Sequence, residues 1–305
     1  MKTYRSNGKL LLTAEYAVLD GAKALAIPTK YGQSLEVIEN NSNKINWKSF
    51  NELNEIWFED NFDLNEEIEY QNHKSKNPIS DRLLQILKAT QKLNPDFLRN
   101  DQGYDIITKQ DFNRFWGLGT SSTLINNIAN WADVNAYELL DITFDGSGYD
   151  IACAQNNSPI TYQLNVKYNP RVELVNFNPS FSNNLYFVYL EQKQNSREGI
   201  ANYRSKGKLD SSILNKINLI TETIIKVDTI DLFSQLLDEH ESIISKLIGL
   251  EPIKSYLFND FNGTIKSLGA WGGDFVLVSS KTDPTSYFRS KGYSIVIPYN
   301  QMVLK

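Results

Sequence analysis

The sequence predicts a mixed α+β fold, and three observations carry that prediction. Short alternating segments such as INWKSF and IWFED read as strands. Runs with apolar residues three and four apart, such as Leu83, Leu84 and Leu87, read as amphipathic helices. A glycine-rich stretch, WGLGTSST from Trp116 to Thr123, stands between a predicted strand and a predicted helix.

Taken in order, the stretch from Glu36 to Asn72 is rich in Asn, Glu and aromatic residues and suits exposed strands joined by polar turns at the rim of a first domain. SDRLLQILKATQKLN, from Ser80, is a helix with a Ser or Asp cap. GYDIITKQDF alternates as a strand and delivers the chain into the glycine-rich segment, after which Leu124, Ile125, Ile128, Ala129 and Trp131 recur at helical spacing. In the second half, SPITYQLNV and NNLYFVYLEQ read as strands. The chain from Leu209 to Gly249 is mostly helical, with Ile217, Ile220, Ile224 and Ile225, then Leu232, Leu236 and Leu237. GTIKSLGAWGGDFVLVSS and YSIVIPY return to strands around another glycine cluster. There is no internal repeat or low-complexity linker, and the expected domain division is 1–156 and 157–305.

Composition narrows the function. With 305 residues, 41% hydrophobic and 22% charged, the chain can bury a core unaided. Its net charge is -5 and its Lys and Arg are dispersed, so no basic stripe suits it to nucleic acid. A single cysteine, Cys153, excludes an internal disulfide, and no Cys/His cluster has zinc-ligand spacing. The early apolar run LLL is broken by Thr13, Ala14 and Glu15, so neither a signal-peptide core nor a spanning helix is expected there. A cytoplasmic protein without a membrane partner follows, and nothing argues against a homodimer. His73 and His240 stand in polar surroundings away from the motifs and receive no chemistry.

WGLGTSST has the chemistry of a phosphate cradle. Gly117 and Gly119 permit positive φ and close backbone approach. A helix starting just after them turns unpaired N–H groups and its positive dipole end toward an anion. Thr120, Ser121 and Ser122 add hydroxyls for a phosphate oxygen or a magnesium ion. The same stretch also suits a plain connection capped by a Ser or Thr hydroxyl. It lacks the spacing and lysine of a Walker A loop and does not fit a Rossmann fingerprint.

Three further segments give the loop its meaning. SNGKLLLTAEYAVLDGAKALAIP, from Ser6, is similar to the first motif of the GHMP kinase superfamily, and WGLGTSST resembles the second, G-L-G-S-S-A-A. SLGAWGGDF, from Ser267, resembles the third, and GSGYDIA, from Gly146 to Ala152, resembles the superfamily's S-G-x-D segment. The order matches and the four segments span the chain. AEYAVLD, GSGYDIA and GAWGGD look most like phosphomevalonate kinase, with mevalonate kinase next.

The resemblance implies a two-domain fold, ribosomal-S5-like then ferredoxin-like, and transfer of the γ-phosphate of ATP, with Mg2+, to a small anionic alcohol or phosphomonoester of isoprenoid precursor synthesis. It implies nucleotide contacts from Trp116, Gly117, Leu118, Gly119, Thr120, Ser121 and Ser122, with Ser121 also the candidate magnesium hydroxyl. Asp150 matches the general base, or else merely caps the helix that follows. Lys9 matches the lysine that would steady Asp150 as an anion, or else is a solvated strand-end residue. Glu15 matches a glutamate that orients Lys9, touches substrate or forms a plain salt bridge. For the substrate's anionic group, QKQNSREG offers Lys193, Ser196 and Arg197.

Several positions depart from the pattern. Asn7 stands where the first motif usually has Pro, and Ala14 replaces its central glycine. Thr120, Ser122 and Thr123 replace Ser, Ala and Ala, while Trp116 flanks the loop and Trp271 takes a usual glycine position. Asp133, Glu138, Asp141 and Asp145 fall in the short interval where a magnesium carboxylate often lies, but no motif singles one out. Two other readings stand beside the kinase. One is a non-catalytic nucleotide- or metabolite-binding protein on the same fold; the other is the related ATP-using decarboxylase, whose loop pattern fits less well.

Overall fold

The computed structural model describes residues 1–64, 77–98, 102–192 and 196–305, with the side chains of Ser196 and Arg197 outside the description. The chain divides into two units that interleave in sequence. The first takes residues 1–8, 31–114 and 119–155; the second takes 9–30, 115–118 and 156–305.

Strands β1 (Lys2–Leu11) and β2 (Ala24–Asn40) contribute residues to both units. The first unit adds β3 (Lys44–Phe50), β4 (Ile56–Asp63), α1 (Pro78–Leu93), β5 (Gly103–Gln110), α2 (Thr120–Ala132), α3 (Ala136–Thr143) and α4 (Tyr149–Gln155). Its strand order is β4-β3-β5-β2, with β3 and β5 parallel and the other pairs antiparallel. Period-two alternation turns Leu35, Val37, Ile45, Trp47 and Ile106 inward, where they pack with Leu83, Ile86 and Leu87 of α1, Ile125 and Ile128 of α2, and Leu139 of α3. The strand at Lys44–Phe50 is therefore not the exposed rim its polar flanks suggest. It lies between two neighbours and buries Ile45 and Trp47. The α1 cap also differs from expectation: Asn77 accepts from Ile79 N–H, with Pro78 at the first helical position, so Ser80 and Asp81 lie inside the first turn.

The second unit adds β6 (Ile160–Gln163), β7 (Arg171–Leu174), β8 (Leu185–Tyr189), α5 (Ser196–Ser205), α6 (Ser211–Ile224), α7 (Ile230–Ile248), α8 (Ile253–Leu257), β9 (Thr264–Ser267), β10 (Phe275–Ser279), α9 (Thr285–Ser290), β11 (Val296–Pro298) and α10 (Tyr299–Met302). β6 pairs with Ala24–Ala26 and with β7. The other four strands form an antiparallel sheet in the order β11-β8-β10-β9, with helices after β8 and after β10. Read as first to fourth strand, that is 4-1-3-2 with a βαββαβ connection, the ferredoxin-like arrangement. Val188, Ile253, Phe258, Ile265, Val276, Val278 and Phe288 form its core. Among the described residues no helix is long and apolar enough to cross a membrane.

Candidate active site

Three of the singled-out segments meet inside the second unit. Lys9, on β1, donates its backbone N–H to Leu118 O at 2.9 Å and its ammonium to Gly117 O at 2.7 Å. The segment Trp116–Leu118 is thereby tied to the first-motif strand. Gly117 has φ +67°, and a Cβ there would collide with the Asp274 carboxylate, so both conformation and space require glycine. Asp274 is held from both sides of its peptide: its N–H donates to Gln192 O and its O accepts from Leu190 N–H, each at 2.7 Å. Trp116 packs edge-on against Phe275 and at a tilt against Tyr189, so it joins an aromatic cluster with β8 and β10. Trp271, in a usual glycine position, is buried with φ +60°.

The first unit holds the helix-start half of the loop and Asp150. Gly119, with φ +97°, is the N-cap of α2, and no side chain caps that helix start. A hydroxyl-capped connection is therefore not what the sequence builds here. The hydroxyls do other things: Thr120 Oγ1 accepts from Gln110 Nε2 at 2.9 Å, Ser122 Oγ donates to Gly119 O at 3.0 Å, and Ser121 is exposed. Asp150 sits in the first turn of α4, its Oδ1 accepting from Ile151 N–H at 3.1 Å.

What orients α2 is a buried polar network that no local pattern announces. Ser6 Oγ donates to Asn127 Oδ1 at 2.7 Å, Asn126 Nδ2 to Ser6 Oγ at 2.9 Å, and Asn127 Nδ2 to Gln33 O at 3.0 Å. Thr123 Oγ1 lies 2.7 Å from Gln33 Oε1, and Gln155 Nε2 donates to Asn126 Oδ1 at 3.0 Å. Each partner satisfies another in the interior, so the helix start, β1, β2 and α4 hold one relative geometry. The interval between loop and Asp150 contains two helices, α2 and α3.

A second missed group lies behind the first motif, in the second unit. Glu15 is fully buried, with Lys266 Nζ 2.5 Å from its Oε1. Lys266 also donates to Ser267 O at 2.8 Å and lies 3.8 Å from Glu241 Oε2. His240, which in sequence stands in polar surroundings away from the motifs, is fully buried and accepts the Ala14 N–H of the first motif on Nε2 at 2.8 Å. That places the neutral ring's proton on Nδ1, which faces Glu15 Oε2 at 3.8 Å. Burial holds His240 well below its ordinary pKa and raises Glu15, against the pull of Lys266. Burial also raises Glu241, to about 7. Apolar α7 neighbours at helical spacing are the one sequence signal that His240 and Glu241 face inward. His73, Lys193 and the side chains of Ser196 and Arg197 lie outside the described residues; the backbone from Ser196 opens α5.

The topology and these segments define the fold of the GHMP small-molecule kinases. The Methanococcus jannaschii mevalonate kinase is similar at 18% identity and TM-score 0.66, covering 97% of this chain and 96% of that one. The Streptococcus pneumoniae phosphomevalonate kinase, solved in complex with phosphomevalonate and AMPPNP, is similar at 16% identity and TM-score 0.69, covering 95% and 96%. The Lactococcus lactis galactokinase, complexed with galactose, is similar at 14% identity and TM-score 0.68, covering 95% and 88%. No family model matches the sequence, and neither does any curated protein.

The residues present fit a nucleotide phosphate. A 13-residue helix starts from a left-handed glycine with no side chain capping it, which leaves its first-turn N–H groups oriented for an anion. Among the described residues no group of three or more His, Cys, Asp or Glu side chains is placed to hold a metal ion. Magnesium tolerates that, because it is commonly bound through substrate phosphates, waters and one or two protein groups and not in an all-protein cage.

Proposed function

We propose that the chain is an ATP-dependent small-molecule kinase that transfers the γ-phosphate to an alcohol or phosphomonoester, with phosphomevalonate or mevalonate as the leading acceptors, in the cytoplasm. The observation that carries the reading is the glycine-cornered, uncapped start of α2. The backbone N–H groups of Thr120, Ser121 and Ser122 would bind phosphate oxygens, aided by the helix dipole. Lys9, donating to Gly117 O, keeps the preceding backbone in its left-handed turn. Magnesium, held by the nucleotide phosphates with Ser121 Oγ as the protein's hydroxyl, would neutralise phosphoryl charge.

Asp150 is the proposed general base, accepting the acceptor hydroxyl's proton as its oxygen attacks phosphorus in line. Lys9 is the proposed cation that keeps Asp150 ionised. Glu15, fully buried with Lys266 against it, is proposed to support the first motif from behind. Ser196 and Arg197 are proposed to meet the acceptor's anionic group, as Arg suits carboxylate and phosphate.

ADP release measured over mevalonate, phosphomevalonate and a set of sugars tests this reading. Turnover with one acceptor class is expected. Nucleotide binding with no turnover on any member would instead leave a non-catalytic nucleotide-binding protein. Asp150→Ala should lower turnover by roughly 10²–10⁴-fold, the usual contribution of a general base; a fall of less than about tenfold would remove Asp150 from that role.

A further inference from the structure

We propose that Lys266 is a positioning residue for phosphoryl transfer, holding the first-motif turn and the third glycine loop in register through the buried carboxylate of Glu15. The proposal rests on the kinase reading for its activity arm.

The turn after β1 is an unfavourable one to build from this sequence. Ala14 and Tyr16 flank Glu15 and both have left-handed φ, +65° and +62°. Neither is glycine, so the surroundings must impose the conformation. Each residue of the trio is hydrogen-bonded to a distant segment of the second unit: Ala14 N–H to His240 Nε2 at 2.8 Å, Glu15 Oε1 to Lys266 Nζ at 2.5 Å, and Tyr16 OH to Ala270 O at 2.9 Å. Two of these three hydrogen bonds end on β9 or the loop that follows it.

That loop is itself strained at Trp271 and Asp274, non-glycine residues with φ +60° and +42°. It is anchored at its base by Glu241, which accepts the Ser267 N–H at 3.1 Å and the Ser267 hydroxyl at 2.7 Å. It ends at Asp274, against Gly117. Among the described residues, Lys266 is the cation that faces both carboxylates of this group. Its ammonium is fully buried and faces Glu15 at 2.5 Å and Glu241 at 3.8 Å, while it donates to Ser267 O at 2.8 Å. Two buried carboxylates on different segments thus depend on one ammonium. Lys9 lies five residues before Ala14, on the strand that leads into this turn.

The test compares Lys266→Met with the pair Lys266→Met/Glu15→Gln, which leaves no ionised Glu15 without its partner. For folded protein, kcat for ADP release should fall by roughly 10²-fold, the scale of an ångström misplacement of reacting groups. KM for ATP should stay within about threefold, since the start of α2 is untouched. Amide hydrogen exchange should rise about tenfold or more over Ala14–Ala17 and Leu268–Asp274 and remain unchanged in β8 and β10. The pair should regain thermal stability without regaining kcat, and it carries the test where the single variant does not fold. Unchanged exchange in both segments, or a pair whose kcat is within about threefold of wild type, overturns the proposal. If wild type turns over no acceptor, the kinase reading fails, while the exchange measurement still decides whether Lys266 locks the two segments.

Discussion

At Glu241, burial and charge pull in opposite directions. Desolvation raises its pKa to about 7, while Lys266 and the two bonds from Ser267 draw it down and Glu15 adds to the rise. The unfolded carboxyl releases its proton near 4.5, so between these values the folded chain holds more protons than the unfolded one. The stabilising contribution is full below the lower value and is lost as pH rises through about 7. His240, held neutral, works in the other sense, contributing above its unfolded pKa and losing ground as pH falls below it. Comparison with Glu241→Gln isolates the carboxyl. Relative to wild type the variant should gain stability progressively from pH 5 to 8, by about 3 kcal/mol at most, as urea unfolding at each pH would measure. A constant difference across that range would mean that Glu241 titrates normally. The sequence shows Glu241 only as one acid among several on a helix; its altered chemistry comes from burial, which Lys266 and Ser267 of another element only partly offset.

Helix α2 illustrates what the element scale adds. Its apolar stripe, Leu124, Ile125 and Ile128, is plain in the sequence and says which side packs on the sheet. The stripe does not say how far the helix slides along that sheet, because apolar contacts are non-directional. Asn126, Asn127 and Thr123 supply the direction through Ser6, Gln33 and Gln155. Asn127→Ala leaves the Gln33 carbonyl and the Ser6 hydroxyl each short of a buried partner. It should cost about 2 kcal/mol or more in urea unfolding, and a loss near zero would mean that water replaces the amide. In sequence such Asn residues look like helix-neutral polar positions, since their partners lie 94 and 121 residues away.

On the scale of the whole molecule, binding and folding are linked. A nucleotide that binds the uncapped helix start binds the folded chain alone, so ATP with magnesium at about a hundred times Kd should stabilise it by about 2.7 kcal/mol. A rise in Tm with ATP concentration, absent with adenosine, is the expected result. No rise at millimolar ATP would argue that the loop, with Trp116 packed beside it, does not take phosphates. The two units also show why a linear division near residue 157 captures only part of the organisation. The chain leaves the first unit at Gly8, returns at Tyr31, leaves at Arg114, returns at Gly119 and leaves again at Gln155. Non-local contacts make those crossings: pairing of β2 with β6 at one, and the bonds from Lys9 to Leu118 O and Gly117 O at another.

Read alone, the sequence determined the α+β class and the position of the glycine loop between β5 and α2, while Lys9, Glu15 and Asp150 were singled out by resemblance. The first two are local: period-two and period-3.6 patterning, and glycines at positive-φ corners. Tertiary structure alone decided that Lys266 and His240 point inward, that Glu15 is a buried partner and not a surface group, that Lys44–Phe50 is an interior strand, and that Gly119 caps α2. A buried charge is stable only beside its counter-charge, and the partners here are as much as 251 residues apart. Only the folded chain brings them together.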